Sequence, residues 1–140
     1  MDSDINLSEV RSLVKDSRKA INHASSLFAQ EVWGNIGEFA PKKTGRLAGS
    51  FKLDQVGERT HSIYSNVKYA AVQNWGSDPY MIYPRQAQAL RFKIKGQWIL
   101  AKEVLHPGIN PTYYIEGGIS AAEQRIDEFV AIALDKEGLT

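Results

Sequence analysis

The chain of 140 residues has three histidines, His23, His61 and His106, and no cysteine. Histidine is the side chain best suited to moving protons near neutral pH. Here the three are scattered: the local patterns place His23 inside a helix, His61 in a strand and His106 in a loop. None has a second ligand at metal spacing, so a zinc site is not expected. Serine, histidine and aspartate all occur, and composition alone leaves a triad open. No serine, however, sits on a Gly-x-Ser-x-Gly elbow. Gly45 and Gly49 flank basic residues but lack the Gly-Lys-Ser/Thr ending of a phosphate loop. No acidic pair has a recognisable catalytic pattern. The expectation is that these are surface or cap residues, and a deep pocket with convergent titratable groups would be needed to revive an enzyme reading.

Three local groups are better suited to binding than to catalysis. Lys42, Lys43, Thr44 and Arg46 lie in the segment 41–50, PKKTGRLAGS. Three cations hinged by Gly45 and Gly49 can reach a carboxylate or phosphate, though the same run would also serve as a solvated loop. Trp75-Gly76 is followed by Tyr80 and Tyr83, and aromatic residues near loops are enriched at interfaces; they could equally form a lid over a sheet. His106-Pro107-Gly108 reads as a rigid turn, in which His106 serves as a turn-stabilising donor. Lys42, Lys43, Thr44, Arg46, Trp75, Tyr80, Tyr83 and His106 are the candidate partner or subunit contacts.

These groups need elements to position them. Asn6 and Glu9 form a capping box, and apolar or small residues follow at Val10, Leu13, Val14, Ser17, Ile21, Ala24, Phe28, Val32, Ile36 and Phe39. Steps of three and four make one stripe of a helix, ended at Ala40-Pro41 because the residue before proline avoids the helical region. Residues 51–54 and 60–65 read as paired strands. Tyr69, Val72 and Trp75 suggest a short helix closed by Gly76, and residues 81–84 a short edge strand. Leu90, Phe92 and Ile94 alternate with Arg91, Lys93 and Lys95, the clearest half-buried strand in the chain. It should turn at Lys95-Gly96 and return over 97–104. A final helix carries Ile115, Ile119, Ala122, Ile126, Phe129, Val130 and Ala133 on one stripe and acidic residues outside. The expected architecture is α+β, one domain over residues 1–140: an antiparallel sheet with the long N-terminal and the C-terminal helix packed on it, and a short helix inserted between strands. Phe28, Ile36, Phe92, Ile126 and Phe129 should be buried.

The net charge of +1 conceals a gradient. Residues 1–39 carry −2, residues 40–108 carry +7 and residues 109–140 carry −4. A basic middle between acidic ends suggests a cationic face for an acidic protein or for nucleic acid. No apolar run approaches the roughly 18 residues of a membrane span, and the polar, acidic first residues do not look like a secretory signal.

Five segments in order carry a resemblance. They are Pro41-Lys42-Lys43-Thr44-Gly45-Arg46-Leu47; Tyr69-Ala70-Ala71-Val72-Gln73-Asn74-Trp75-Gly76; Ile82-Tyr83-Pro84; Ala89-Leu90-Arg91-Phe92; and His106-Pro107-Gly108. Together they resemble the tail-component family of tailed bacteriophages, the tail completion or head–tail joining proteins, over roughly residues 7–135. Gln73-Asn74 and Ser77 stand where members often have Glu and Thr. The resemblance implies a virion structural protein that is not an enzyme and takes no cofactor and no metal, made in the host cytoplasm, that joins a homo-oligomeric ring, often a hexamer, at the head-proximal end of the tail. Its implied partners are the tail tube or terminator and the head-side connector, with DNA passing through the ring unread and no membrane. A tail terminator or head-side connector subunit is the nearest alternative. A basic nucleic-acid-binding module using Lys42, Lys43, Arg46, Arg91, Lys93 and Lys95 is the alternative of another class, although a pI of 7.9 is below the strongly basic value usual for such domains.

Overall fold

The structure, a computed structural model, describes residues 6–42, 45–85 and 88–139. The fold is α+β, with helices and antiparallel strands in two compact units. One unit takes residues 1–70 and 114–140, and the other takes residues 71–113.

The first unit is built on helix α1 (Leu7–Phe39). The Asn6 side chain accepts the Ser8 N–H at 3.0 Å, supplying the expected N-cap. At the other end Ala40 turns to extended backbone before Pro41, while its N–H still reaches the Ile36 carbonyl. A turn of 3-10 helix (Ala48–Ser50) leads into strands β1 (Lys52–Gln55) and β2 (His61–Tyr64), an antiparallel hairpin. Helices α3 (Tyr114–Glu123) and α4 (Ile126–Lys136) complete the unit. The core gathers Val32, Ile36, Ala40, Leu47, Phe51, Tyr114 and Ala122. Tyr114 anchors it: its ring meets Phe51 edge-on at 5.9 Å, and its hydroxyl donates to the Ala70 carbonyl at 2.8 Å. Desolvation pushes that phenol above its ordinary pKa. Gly118 is what lets α3 approach α1, since a Cβ there would stand 3.1 Å from Ile36, and Asn35 donates to the Gly118 carbonyl at the same crossing.

The second unit contains α2 (Ala70–Trp75, its first residue belonging to the first unit), β3 (Tyr80–Ile82), β4 (Leu90–Ile94), β5 (Gln97–Ala101) and β6 (Val104–His106). Strand β3 pairs antiparallel with β6, and β4 with β5. The β4–β5 turn is the expected Lys95-Gly96, both at positive φ, as a two-residue hairpin loop of the primed kind needs. Gly76 caps α2 at φ +78°, and Ser77 and Ile109 exchange both backbone hydrogen bonds at 2.9 and 3.1 Å.

Three details of the elements depart from expectation. The described strands form three separate two-stranded ladders rather than one sheet. Residues 97–104 do not make one return strand: the chain leaves β5 at Ala101 and begins β6 at Val104, which takes β3 as partner. The C-terminal helix is broken at residues 124–125, where Arg125 turns to bridge Glu31 at 2.6 Å and Glu128 at 2.9 Å. Of the residues expected in the core, Ile36 and Phe129 are buried and Phe28 and Phe92 half-buried. Ile126 is 42% exposed, because the break re-aims the first turn of α4.

Candidate interaction surfaces

The loop after α1 is anchored at Leu47. Leu47 is buried in the core, and Ser50 donates to its carbonyl and shares a hydrogen bond with Ser65. Gly45 supplies the positive φ that turns the chain toward this anchor. Lys42 and Arg46 are exposed. Lys43 and Thr44, also expected as contacts, lie outside the described residues.

The remaining four expected contacts belong to the second unit. Tyr80 and His106 face each other in the β3–β6 register, with rings stacked at 4.7 Å and 15°. His106 Nδ1 accepts the Gly108 N–H at 3.0 Å, so the imidazole holds the turn as an acceptor rather than as the donor expected. Trp75 and Tyr83 are exposed. Gly76 and Gly108 both have positive φ, and each backs onto the backbone of the opposite segment: Gly76 onto Ile109 and Pro111, Gly108 onto Ser77 and Asp78. The motif glycines thus close this unit.

The β4–β5 hairpin adds a residue that the sequence reading passed over. Its register sets Lys93 opposite Trp98 and Arg91 opposite Leu100. The Arg91 guanidinium lies 4.1 Å and the Lys93 ammonium 5.0 Å from the centre of the Trp98 ring. Each such contact contributes about 0.5–1 kcal/mol at an exposed site. Leu100, on the same face, is 70% exposed. The signal was present: once Lys95-Gly96 is the turn, counting back along the ladder puts Trp98 and Leu100 in phase with the cations.

In the first unit, the front half of α1 presents its apolar stripe outward, at Leu7, Val10, Leu13, Val14 and Ile21. Beyond it an apolar groove of about 490 Å³ opens between α1 and α4, walled by Phe28, Phe129 and Leu134 among others. The outer face of α3 and α4 is acidic, with Glu116, Glu123 and Asp127 exposed. Beside them the Arg125 guanidinium holds the Glu128 carboxyl below the usual carboxylate range, and is itself raised by its two carboxylate partners. Among the described residues no three His, Asp or Glu side chains gather to hold a metal ion, and no helix is long and apolar enough to cross a membrane. The chain matches no protein-family model, no curated protein and no solved structure.

Proposed function

We propose that this chain is a non-enzymatic structural subunit of the head–tail junction of a long-tailed bacteriophage, one member of a ring that completes the head-proximal end of the tail and joins it to the capsid connector. The observation that carries the reading is the separation of charge between built surfaces. Residues 71–113 hold five basic and two acidic side chains, and present a cationic ribbon of Arg91 and Lys93 around Trp98. Residues 114–140 hold two basic and six acidic ones, with Glu116, Glu123 and Asp127 on an exposed helical face. Opposite charges on two surfaces of one subunit favour a heterologous, head-to-tail contact between copies, and such contacts close into rings when the rotation fits. Three of the five motif segments add support: Leu47, Gly76 and Gly108 sit where the fold needs an anchor or a close backbone approach.

The test is complementation of a phage lacking this gene, with particles viewed by electron microscopy. The double charge reversal Arg91→Glu, Lys93→Glu should leave filled heads and tails unjoined. Adding Glu123→Arg and Asp127→Arg should restore joined particles if ribbon and helical face meet between copies. Normal infectious particles from the gene deletion itself would overturn the reading.

A second reading, binding of single-stranded nucleic acid, draws on the same ribbon, since cations beside an exposed tryptophan resemble a base-stacking platform. Arg91 and Lys93 lie against the Trp98 ring, however, where a base would have to stack. Nucleic-acid affinity that falls steeply with salt and is lost in Trp98→Ala would favour this reading.

A further inference from the structure

The exposed stripe of α1 has a finer pattern than amphipathicity alone requires. Leu7, Val10, Val14, Ser17, Ile21, Ala24 and Phe28 are separated by alternating steps of three and four. That is the a/d spacing by which one helix meets another along a seam. The seam is open in its first two heptads, where Leu7, Val10, Val14 and Ile21, with Leu13 beside them, are between 44% and 66% exposed, while Ser17, Ala24 and Phe28 are half-buried and Phe28 also packs against the unit's own core. Further along, from Val32 onward, α1 joins the unit's own core.

Two hollows lie on this face. One, of about 460 Å³, is lined by Leu13, Val14, Ser17, Arg18, Ile21 and Arg59. The other is the groove between α1 and α4. They share Ser17 and Ile21 as wall residues, so the two adjoin along α1 as a stepped trough. From Leu7 to Phe28 the seam runs for about 32 Å at 1.5 Å per residue, a span of three heptads. Its middle positions are small: Ser17 and Ala24 on the seam, with Ala20 buried beside them. Small residues there let a second helix approach closely, as in helix-in-groove recognition.

Charge selects the occupant. Arg11 and Arg18 each follow a d position, on the flank where a partner's own flanking residues would come into range. Arg59 lines the same hollow from the β1–β2 turn, where it also contacts Asn22 and Glu58. Among the described residues no carboxylate lines either hollow. A second copy of α1 would suit this rim poorly. Antiparallel pairing would bring Arg11 and Arg18 against their own equivalents, and parallel pairing would set Arg18 against Leu13. Carboxylates flanking the partner's stripe would meet the arginines in charge-assisted hydrogen bonds.

We propose that the trough along α1 is a docking site for an amphipathic helix of another protein, about three heptads long, whose apolar stripe is flanked by Asp or Glu. This is independent of the ring reading, which rests on the β4–β5 hairpin and the face of α3 and α4.

The test uses the full chain and two labelled three-heptad peptides with leucine at a and d, one with glutamate and one with lysine at e and g. Binding is followed by fluorescence anisotropy at concentrations where each peptide is monomeric. The glutamate peptide should bind at least about tenfold tighter than the lysine peptide, and the gap should shrink in about 0.5 M salt. Val14→Asp with Ile21→Asp should abolish binding while the thermal unfolding curve stays in place, because both side chains are exposed. Arg18→Glu should narrow or reverse the preference between peptides. Equal binding of both peptides, binding of neither, or binding that survives the double aspartate variant would overturn the proposal. So would sedimentation showing a dimer that this double variant dissociates, since the trough would then belong to a second copy.

Discussion

Gly76→Ala tests how the second unit is closed. Gly76 has a φ of +78°, and a Cβ there would stand 2.6 Å from the Ile109 carbonyl oxygen and 2.9 Å from Pro111 Cδ. The left-handed conformation alone costs an alanine about 1–2 kcal/mol. The obstruction is backbone, so no rotamer change relieves it. The segment at residues 109–111 must move away, and the two Ser77–Ile109 hydrogen bonds, at 2.9 and 3.1 Å, go with it. At about 1 kcal/mol each they bring the total to about 3–4 kcal/mol. That is a large part of the roughly 5–15 kcal/mol that holds a domain together. Denaturant unfolding followed by tryptophan fluorescence measures the loss, and hydrogen exchange at the Ser77 and Ile109 amides localises it. Gly34→Ala is the control. It is the same substitution inside α1, with nothing within 4 Å of the new methyl, and should stabilise the helix by about 0.5–1 kcal/mol. A Gly76→Ala loss under about 0.5 kcal/mol, with both amides still protected, would refute the close approach as the reason for glycine here.

Phe129→Ala should cost about 3 kcal/mol, the lower end of the range for a core phenylalanine, because Phe129 is buried but walls an open groove that water can fill; a loss under about 1 kcal/mol in chemical denaturation would count against its anchoring α4. Lys95→Asn should stabilise the β4–β5 hairpin by up to about 1 kcal/mol, since Lys95 sits at φ +48° in a turn that favours Asn-Gly; no gain in denaturation midpoint would show that the strain is absorbed elsewhere. Arg125 depresses the Glu128 pKa, so the pair's contribution is present above the ordinary carboxylate value of about 4.3 and fades as pH falls through the lower folded value. Acid titration of Glu128→Gln should therefore be flatter than that of the parent chain below about pH 4.3, and superimposable profiles would contradict this linkage.

Local chemistry made the element ends legible. Asn6 caps α1 because its short side chain can reach a free N–H, Ala40 ends it because Pro41 follows, and Lys95-Gly96 turns a hairpin because glycine takes positive φ. Strand partnership was not legible. Val104–His106 pairs with Tyr80–Ile82, more than twenty residues away, and nothing in either segment names the other. The break at Arg125 was hidden for a related reason. The apolar spacing continues through it, while the partner that Arg125 meets at the break, Glu31 on another helix, is far away in the chain. The stripe on α1 shows the same limit from the other side. Periodicity identified side chains that seek company, from Val10 to Phe28, but not whether this chain supplies it. Lys42 and Arg46 were readable as exposed cations because they lie close together and beside Gly45 and Gly49. Trp98 needed the register, which the turn already contained.

The second unit interrupts the first, and that has a consequence for how the chain orders itself. Its own ends are pinned: the Thr112 N–H and hydroxyl both donate to the Gln73 carbonyl, and the Tyr113 N–H donates to Asn74. Before that pinning, bringing residues 70 and 114 together means closing a loop of 43 residues. Afterwards the insert behaves as a clasp only a few residues wide. By the logarithmic dependence of closure entropy on length, the change from 43 residues to about four lowers the cost by about 2 kcal/mol. The insert thus makes it cheaper for α1 to find α3 and α4 from far along the chain, which gives this small unit a part in folding as well as in contact.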